Sequence, residues 1–444
     1  MRSAMAPSLA PTPPGPAREG STDPSMPIAQ RIIARAAGRT RVEVGELVWA
    51  DVDLAMIHDS GGPRRIELAM DRLGLGVWDP ERLVVVSDHY VPGSDTNAAA
   101  ILQTTRAFAG RHEVARFHEG EGISHTLMVE LGYVHPGMLY VGGDSHSCTA
   151  GVLGCLAVGM GSTDLLGIVA TGRTWLKVPP TVRVELRGKM VEHVTAKDVM
   201  LALIGDHGMD GARYKVVEFG GEAVAAMTVE DRSVLTNMSA ELGAKSGIVP
   251  ADGRTWAHLG ALGVQPVGGY ELEGAALYEE IWEYDVTELP SLVACPHRVD
   301  NVHPAGDLGS TRITRAYIGA CTGAKHADLV AAARVLADRT VAPGVLLHVA
   351  PASRGALERA IADGTAATLM AAGADFLSTG CGACPGIANG VLGDGDVCIS
   401  STNRNFRGRM GSMASDVYLG SPATVAASAV AGHICDPRQL GDDR

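Results

Sequence analysis

One phrase of sequence recurs along most of this 444-residue chain. A short β-branched apolar run is followed by a turn rich in Gly, Ser, Asp or His, and then by a stretch whose apolar residues have helical spacing. Such alternation predicts an α/β fold with parallel sheets flanked by helices. The apolar runs occupy residues 83–86, 139–141, 317–318, 345–349, 376–377 and 397–399.

The polar clusters of the sequence fall where these runs end, which is where ligands bind in open α/β sheets. The segment from Lys177 to Gly188 begins with a Val-Pro-Pro-Thr turn and then predicts a new strand, so we place a domain boundary there. We expect a disordered Pro-rich extension at 1–27, with Met26 as a candidate true start, and α/β domains at 28–178, 179–300 and 301–444.

Composition excludes several classes of protein. The formal net charge is -13 and no stretch is dense in Lys or Arg, which argues against nucleic acid as a partner, since phosphate contacts need cations. No apolar run reaches the roughly 20 residues that span a bilayer, so no membrane partner is expected. Eight cysteines spread over this length do not predict a disulfide framework and suit a reducing compartment, so we expect a cytoplasmic protein.

Three cysteines carry the strongest chemical signal. Cys321 lies in Ile-Gly-Ala-Cys-Thr-Gly, and Cys381 and Cys384 lie in Cys-Gly-Ala-Cys-Pro, each on a Gly-rich turn after an apolar run. Three converging thiolates are typical of soft-metal chemistry, and a four-cornered cluster held by three would keep one iron open. A dithiol redox motif and a structural zinc site are the alternatives. The other five cysteines lack metal-like spacing and are interpreted as small core residues.

Imidazoles and carboxylates form a second group of candidates. Asp88-His89 and Asp144-Ser145-His146 each follow an apolar run, and His125 precedes a predicted helix. A carboxylate beside an imidazole fixes its tautomer and raises its basicity, as general acid–base catalysis requires. Any one of these histidines alone would more often be a surface or capping residue, but their number favours a site.

Two further segments carry amides and charges. Asn237 and Glu241 are four residues apart, on one face if the segment is helical, although an ordinary solvated helix has the same pattern. Asn403, Arg404 and Arg409 follow the last apolar run, and arginine's planar fork suits a carboxylate ligand. The alternative there is a solvated basic turn.

Together these motifs resemble the aconitase superfamily, in particular the large subunit of isopropylmalate-type dehydratases. The resemblance covers about residues 28–435. It rests on Ser-Asp-His, Gly-Asp-Ser-His, Thr-Asn-Met, Cys-Thr-Gly, Gly-Cys-x-x-Cys and Asn-Arg-Asn-Phe-x-Gly-Arg, which occur in the family's order.

The resemblance implies a three-domain α/β/α arrangement with mostly parallel sheets around a central iron–sulfur site. It implies a [4Fe-4S] cluster on Cys321, Cys381 and Cys384, and an enzyme that removes water from a hydroxy dicarboxylic or tricarboxylic acid and restores it. The implied catalytic pairs are Asp88 with His89, His125 with Asp144, and His146 with Glu241. The implied substrate-binding residues are His58, Ser145, Asn237, Asn403, Arg404 and Arg409.

The family's catalytic base has no counterpart in this sequence, so the resemblance implies a separate small subunit that carries a mobile swivel domain. Gly323 stands where the family commonly has Asn. The resemblance implies 3-isopropylmalate as the first expected substrate. Glycine at position 323 resembles a branch that acts on dimethylmalate-like or other unusual substrates, so 2,3-dimethylmalate, homoaconitate or a specialised-metabolite diacid are the alternatives. An iron-responsive RNA-binding protein is an alternative of another class, which the net charge and the acid–base residues disfavour.

Overall fold

The computed structural model describes residues 22–265 and 276–440. Residues 1–21 of the predicted disordered extension lie outside this range. Residues 22–27 are described and belong to the fold, because Met26 is buried in a core cluster with Ile28 and Ile32, and Asp23 N donates to Thr40 O over 3.0 Å. The prediction of disorder is therefore wrong for residues 22–27, whose apolar contacts tie them to the first helix.

The described residues form thirteen α-helices and eighteen strands. The helices are α1 (Ile28–Ala36), α2 (Pro63–Leu73), α3 (Thr96–Arg111), α4 (Ser124–Glu130), α5 (Ser162–Thr171), α6 (Ala196–His207), α7 (Glu222–Ala226), α8 (Val229–Met238), α9 (Gly253–Ala261), α10 (His326–Leu336), α11 (Arg354–Ala362), α12 (Thr365–Ala371) and α13 (Pro422–Ala431). The strands are β1 (Leu47–Asp51), β2 (Leu54–His58), β3 (Leu83–Ser87), β4 (Arg116–Glu119), β5 (Leu139–Gly142), β6 (Leu156–Gly159), β7 (Arg173–Lys177), β8 (Thr181–Arg187), β9 (Val216–Gly220), β10 (Ser246–Ile248), β11 (Glu280–Asp285), β12 (Leu292–Ala294), β13 (Val302–Pro304), β14 (Arg315–Ile318), β15 (Leu346–Val349), β16 (Ala374–Phe376), β17 (Val397–Ser400) and β18 (Asp416–Leu419).

The first sheet has the order β4-β3-β2-β5-β6, and all its pairings are parallel. Its two faces pack against different helices: Val85 contacts the core that includes Phe108 of α3, while Val84 belongs to the core that includes Met128 of α4. Because both faces are covered, β3 is apolar and buried at consecutive positions rather than at alternate ones.

The second sheet has the order β10-β9-β8-β11 and is also parallel. Val182 and Val184 of β8 pack against Leu203 of α6 and Val234 of α8. The capping box of Thr195 and Asp198 starts α6 at the edge of this layer. Packing against the sheet fixes the C-terminal end of α8, which contains Asn237 and is followed by Glu241.

The third sheet has the order β13-β12-β18-β17-β14-β15-β16. Strands β14 to β18 pair in parallel, and β12 is antiparallel to both of its neighbours. Strand β12 lies before the boundary predicted at residue 300, yet it pairs within this sheet. A separate two-stranded ribbon of β1 and β7 is antiparallel.

The six apolar runs named above all lie in strands, to within a residue or two at their ends. The α/β class with mostly parallel sheets is thereby confirmed. The division into three domains at residues 178 and 300 stays a prediction. Within the described part of the chain, no helix combines the length and the apolar character needed to cross a membrane.

The sheets meet at the carboxyl ends of their strands. Cys381 N donates to Asp88 O over 2.9 Å, which joins a turn of the third layer to the end of β3. The buried Lys197 of α6 reaches the third layer as well, donating through Nζ to Ser401 O over 3.1 Å and to Thr322 Oγ1 over 3.4 Å. The polar turns of the layers therefore converge on one central region.

Candidate active site

The three predicted metal-ligating cysteines line one cavity in this central region. Cys321 follows β14, and Cys381 and Cys384 share the turn after β16; all three are buried. The turn between the pair requires glycine, because Gly382 has a φ of +56° and a Cβ there would lie 2.2 Å from Tyr317 Oη. The local sequence therefore spaces the two sulfurs through a left-handed glycine.

The spacing of the sulfurs fits a cluster better than a single ion. Among the residues that the structure describes, two groups of side chains each place three or more possible metal-ligand atoms within 4.8 Å of one another. Neither group includes Cys321, Cys381 or Cys384, so these three sulfurs do not all lie within 4.8 Å of one another. A single tetrahedral ion with sulfur ligands at about 2.3 Å would bring them closer than this. A cluster of several irons holds its cysteines at separate corners, so the donor set fits such a group.

Amide and guanidinium groups point at the sulfurs. Asn237 Nδ2 lies 3.0 Å from Cys321 Sγ, and Asn403 Nδ2 lies 3.6 Å from the same atom. Arg409 Nη2 lies 3.8 Å from Cys384 Sγ. Burial, together with the Cys384 thiol, raises the pKa of Cys321 to about 12. A metal must therefore displace the proton, and these donors then stabilise the resulting thiolates.

Asp88 and His89 form the first of the three predicted pairs. Asp88 Oδ1 accepts from His89 Nδ1 over 2.7 Å, and Asp88 Oδ2 accepts from Ser124 N over 2.7 Å. Burial disfavours the imidazolium, but the Asp88 carboxylate outweighs it and raises the pKa of His89 to about 9. The imidazole ring lines the cavity beside Cys381, with 3.8 Å between His89 Nδ1 and the sulfur. His89 is thus a protonated donor near neutral pH.

The other two pairs share a chain of charges. His125 Nε2 donates to Asp144 Oδ1 over 3.1 Å, and His146 Nε2 donates to Glu241 Oε1 over 2.9 Å. His146 Nδ1 also lies 3.3 Å from Asp144 Oδ1, and Arg404 Nε donates to Glu241 Oε1 over 2.9 Å. Burial opposes the charged carboxylate of Asp144, yet hydrogen bonds from His125 and His146 hold its pKa well below the usual range.

Three buried polar atoms around the cavity have no hydrogen-bond partner among the described residues: His125 Nδ1, Glu241 Oε2 and Arg409 Nε. Buried polar groups are normally satisfied, so an unpartnered group calls for a ligand or water. His125 and Arg409 both line the cavity. Their unpartnered atoms are consistent with a polar, anionic ligand placed against the sulfurs.

His58 and Ser145 do not line the cavity. His58 Nε2 donates to Gly143 O over 3.1 Å and His58 Nδ1 accepts from Ser60 N over 3.2 Å, so both ring nitrogens bond to backbone. Burial and the neighbouring His89 lower the pKa of His58 to about 4, and the two rings stack at 4.5 Å. This geometry favours support of His89. Ser145 is exposed. Substrate binding by either residue stays a prediction.

Asp59 was not among the predicted site residues. Its carboxylate accepts from His89 N over 3.2 Å and from Tyr90 N over 2.9 Å, which fixes the turn that carries the imidazole. The sequence held a signal for it, because one residue separates Asp59 from the apolar run 54–57, just as one residue separates Asp88 from the run 83–86.

Two buried lysines were also missed. Lys325 Nζ donates to Cys321 O over 3.2 Å and to Asp328 Oδ2 over 2.7 Å. Lys197 Nζ donates to the carbonyls of Ser401 and Thr402, just before the predicted site residues of that turn. Each lysine fixes a backbone turn that carries site residues. No local pattern marks Lys197, since its contacts with Thr322 and Ser401 lie 125 and 204 residues away in sequence.

Comparison with known proteins points to the same chemistry. The sequence profile of the aconitase family (aconitate hydratase) matches residues 31–311 and 295–432. A probable 3-isopropylmalate dehydratase large subunit from Methanothermobacter thermautotrophicus is 44% identical over 421 residues, covering 94% of this chain and 100% of the relative. A probable methanogen homoaconitase large subunit from the same organism is 44% identical over 419 residues, covering 93% and 98%.

A 3-isopropylmalate dehydratase large subunit from Oleidesulfovibrio alaskensis is 43% identical over 416 residues, covering 93% of this chain and 99% of that one. Among solved structures, the holo-form of Thermococcus kodakaraensis aconitase X matches with a TM-score of 0.51 and 15% identity, covering 83% of this chain and 88% of the other. This structural likeness bears on the fold alone.

The family profile and the named relatives define a hydro-lyase, and the cavity of this chain brings three cysteines together with several imidazole–carboxylate pairs. The chain belongs to the aconitase family. Its relatives are named as large subunits, which implies a small-subunit partner.

Proposed function

We propose that this chain is the large subunit of a [4Fe-4S] hydro-lyase that interconverts 3-isopropylmalate and its dehydrated diacid. The substrate is taken from the names of the relatives, which match over nearly their whole length. A protein that keeps three thiols reduced for a metal belongs in the cytoplasm. The expected pathway is leucine biosynthesis.

One observation carries the proposal: the three cysteines and three imidazoles lie on the wall of the same cavity. Its lining comprises His89, Ile123, His125, Asp144, His146, Ala320, Cys321, Cys381, Cys384, Pro385, Asn403 and Arg409. Sulfur ligands for a metal group and proton donors are the two components that removal of a hydroxyl requires.

The cluster, when bound, supplies Lewis-acid polarisation of the substrate hydroxyl through the iron that has no protein sulfur. His89 donates a proton to the departing hydroxyl, which leaves as water when the carbon–oxygen bond breaks. Asp88 keeps that imidazole protonated and oriented through the 2.7 Å hydrogen bond to Nδ1, which leaves Nε2 for the substrate. In the reverse direction the same imidazole receives a proton from water.

Arginine and amide groups position the substrate and the cluster. Arg409 faces the cavity with an unpartnered Nε, so its guanidinium can bind a substrate carboxylate. Arg404 is held by Glu241 at the 2.9 Å ion pair and presents its remaining N–H groups to a second carboxylate. The side-chain amides of Asn237 and Asn403 donate hydrogen bonds to Cys321 Sγ. These contacts give both residues a role in supporting the cluster, in addition to the substrate binding that the resemblance implies.

The second proton, on the neighbouring carbon, needs a base. We assign that base to the small subunit, on a swivel domain that closes over the cavity. The groups on the cavity wall support this assignment, because its histidines are already paired with carboxylates and its arginine is a cation. The purified large subunit alone is then expected to have no turnover.

A homoaconitate-type tricarboxylic acid is the second candidate substrate. It is favoured by the relative named as a homoaconitase large subunit, which is as similar to this chain as the isopropylmalate relative is.

The test is anaerobic co-production of the chain with its small subunit, reconstitution with iron and sulfide, and an assay that follows the absorbance of the unsaturated product. The panel contains 3-isopropylmalate, 2,3-dimethylmalate and homocitrate. Turnover of 3-isopropylmalate with the highest kcat/KM supports the proposal, and a higher value for homocitrate selects the second candidate.

A matched pair of cysteine variants distinguishes loss of a cluster ligand from the general effect of replacing a buried cysteine. Cys384→Ser is expected to lose turnover and most of the iron, while Cys398→Ser, a buried cysteine in β17 away from the cavity, is expected to keep both. An iron-loaded complex that turns over none of the three acids would overturn the proposed reaction.

A further inference from the structure

The ribbon of β1 and β7 presents an unusual outward face. Leu47, Trp49 and Asp51 alternate along β1, and Arg173, Trp175 and Lys177 alternate along β7. The side chains of Leu47, Trp49 and Trp175 are 67%, 61% and 53% exposed. We call these six residues the tryptophan face. Two of the chain's five tryptophans thus lie in solvent on one short ribbon.

The inward face of the same ribbon already anchors it. Val48, Ala50 and Leu176 are buried in a core cluster with the first helix and with Leu139 of β5. The outward side chains therefore contribute little to the packing of this chain. Large aromatic side chains left in water at adjacent positions mark an interaction surface, because tryptophan is among the residues most enriched at the centres of interfaces.

The position of the tryptophan face separates it from the catalytic cavity. Strand β1 ends at Asp51 and β2 begins at Leu54, so the ribbon adjoins the amino end of the first parallel sheet. The cavity residues follow the carboxyl ends of the strands. A small subunit that closes over the cavity therefore leaves the tryptophan face free for another partner.

The strand register makes this face complementary to itself. In the ribbon, Leu47 is opposite Lys177, Trp49 is opposite Trp175, and Asp51 is opposite Arg173. Two ribbons stacked face to face about a two-fold axis parallel to the strands place β1 of one copy on β7 of the other. Trp49 then meets Trp175 of the second copy, and Asp51 meets Arg173, with both contacts repeated by symmetry.

A two-fold axis perpendicular to the strands is disfavoured by repulsion between like charges. It would place Lys177 against Arg173 of the second copy, and like charges across an interface are repulsive. In the parallel arrangement the guanidinium of Arg173, which already donates to Asp51 within its own chain over 3.0 Å, has further N–H groups for the second carboxylate. Arg173 also lies 5.8 Å from the Trp49 ring centre, so it is held over the aromatic surface.

We propose that the tryptophan face is the docking site for a second copy of this chain, in an isologous dimer whose centre is formed by Trp49 and Trp175. The catalytic cavities then face away from the dimer axis, so that each copy carries its own small subunit. This proposal does not depend on which acid the enzyme dehydrates.

The test uses the full chain at micromolar concentration and sedimentation equilibrium. The wild-type chain is expected to have the mass of two copies. Trp49→Ser, which removes an exposed side chain, is expected to weaken the dimer by roughly 30-fold or more, since a central tryptophan is typically worth 2 kcal/mol or more. Ile361→Ser, another exposed apolar residue but in α11 of the third layer, is the matched control and is expected to leave the mass unchanged.

Charge reversal gives a test that a contact within one chain cannot imitate. Asp51→Arg alone sets arginine against arginine across the axis, and Arg173→Asp alone sets aspartate against aspartate, so each variant is expected to be monomeric. An equimolar mixture of the two restores both ion pairs between unlike copies and is expected to regain the dimer mass. Circular dichroism checks that each variant is folded.

If something other than a second copy of this chain covers the tryptophan face, the measured masses differ from those expected above. If residues 1–21 of the same chain cover the face, the wild-type chain is a monomer and dimerises only when they are deleted. If the small subunit binds there, Trp49→Ser weakens the one-to-one complex instead. Either result, or a mixture of charge variants that stays monomeric, overturns the proposal. A dimer that survives deletion of residues 1–21 and is lost in Trp49→Ser supports it.

Discussion

Asn237 Nδ2 lies 3.0 Å from Cys321 Sγ, so an amide at the end of one sheet layer donates to a sulfur at the end of another. The same amide donates to Thr149 Oγ1 over 2.7 Å, which fixes its orientation. Hydrogen bonds to the sulfurs of a metal group tune its stability and redox behaviour. The layers of this fold are therefore coupled through the ligands of the site.

The first prediction concerns that hydrogen bond. Asn237→Ala removes a donor to Cys321 Sγ and should increase the rate of iron loss to a chelator by about 10- to 100-fold, the usual cost of removing a partner of a metal ligand. Iron retention after anaerobic reconstitution is the measurement. Asn301→Ala, an exposed amide away from the site, should retain iron like the wild-type chain. Equal retention in both variants would contradict the role assigned to Asn237.

The second prediction concerns the glycine that follows Cys321-Thr322. A Cβ on Gly323 would lie 2.2 Å from Ser401 Oγ and 2.7 Å from Ser401 O, so Gly323→Ala must push apart two turns that carry site residues. We expect a loss of about 1–3 kcal/mol in the free energy of unfolding, as for other overpacked sites. Gly260→Ala, in α9, meets no atom within 4 Å and should be neutral or stabilising. Equal thermal melting temperatures for Gly323→Ala and the wild-type chain would show that the turns are not constrained.

The third prediction separates catalysis from cluster binding. Asp88→Asn removes the carboxylate that orients and charges His89, and general acid catalysis typically contributes 10² to 10⁴ in rate. We expect kcat to fall by about that factor while the iron and sulfide content stays at the wild-type level. The rate is measured in the complex with the small subunit. A rate within a few-fold of wild type would assign the proton donor elsewhere.

The fourth prediction concerns Lys197. Burial lowers the pKa of Lys197 in the folded chain from the usual lysine value of 10.5 to about 8. Between these pH values the unfolded chain binds the proton that the folded chain has released, so this group makes stability rise with pH from about 8 to 10.5. Below pH 8 the lysine is protonated in both states and contributes no slope.

Lys197→Met should therefore abolish that part of the pH dependence. It should also lower the free energy of unfolding by about 1–3 kcal/mol at neutral pH, because the carbonyls of Ser401 and Thr402 lose their buried donor. Urea unfolding at several pH values measures both effects. Lys189→Met, an exposed lysine, should show neither. A slope in Lys197→Met equal to that of the wild-type chain would contradict the buried titration.

The sequence predicted the elements whose causes are local. The apolar runs became buried strands because both faces of the parallel sheets are covered, and polar turns followed them as expected. Asp88 and His89 are adjacent in sequence, so their pairing could be inferred directly. The pairing of His146 with Glu241, separated by 95 residues, came from the family resemblance alone.

What the sequence did not reveal depends on long-range packing. The role of Lys197 arises only when α6 meets turns of another layer. Lys325 is an exception, because its contacts with Cys321 and Asp328 lie within four residues of it in sequence. Residues 22–27 looked unable to fold because their composition is polar and Pro-containing, yet the contacts of Met26 with a distant core order them. The ribbon of β1 and β7 pairs segments more than a hundred residues apart, so its exposed tryptophans could not be placed together beforehand.

The central claim is that Cys321, Cys381 and Cys384 would hold a four-iron cluster in the cavity that His89, His125 and His146 also line. The Mössbauer spectrum of the full chain, reconstituted anaerobically with ⁵⁷Fe and complexed with its small subunit, tests this claim most directly. One iron in four should differ from the other three, and adding 3-isopropylmalate should shift that signal alone. Four equivalent irons that do not respond to substrate, or a chain that binds zinc and retains no iron, would contradict the account.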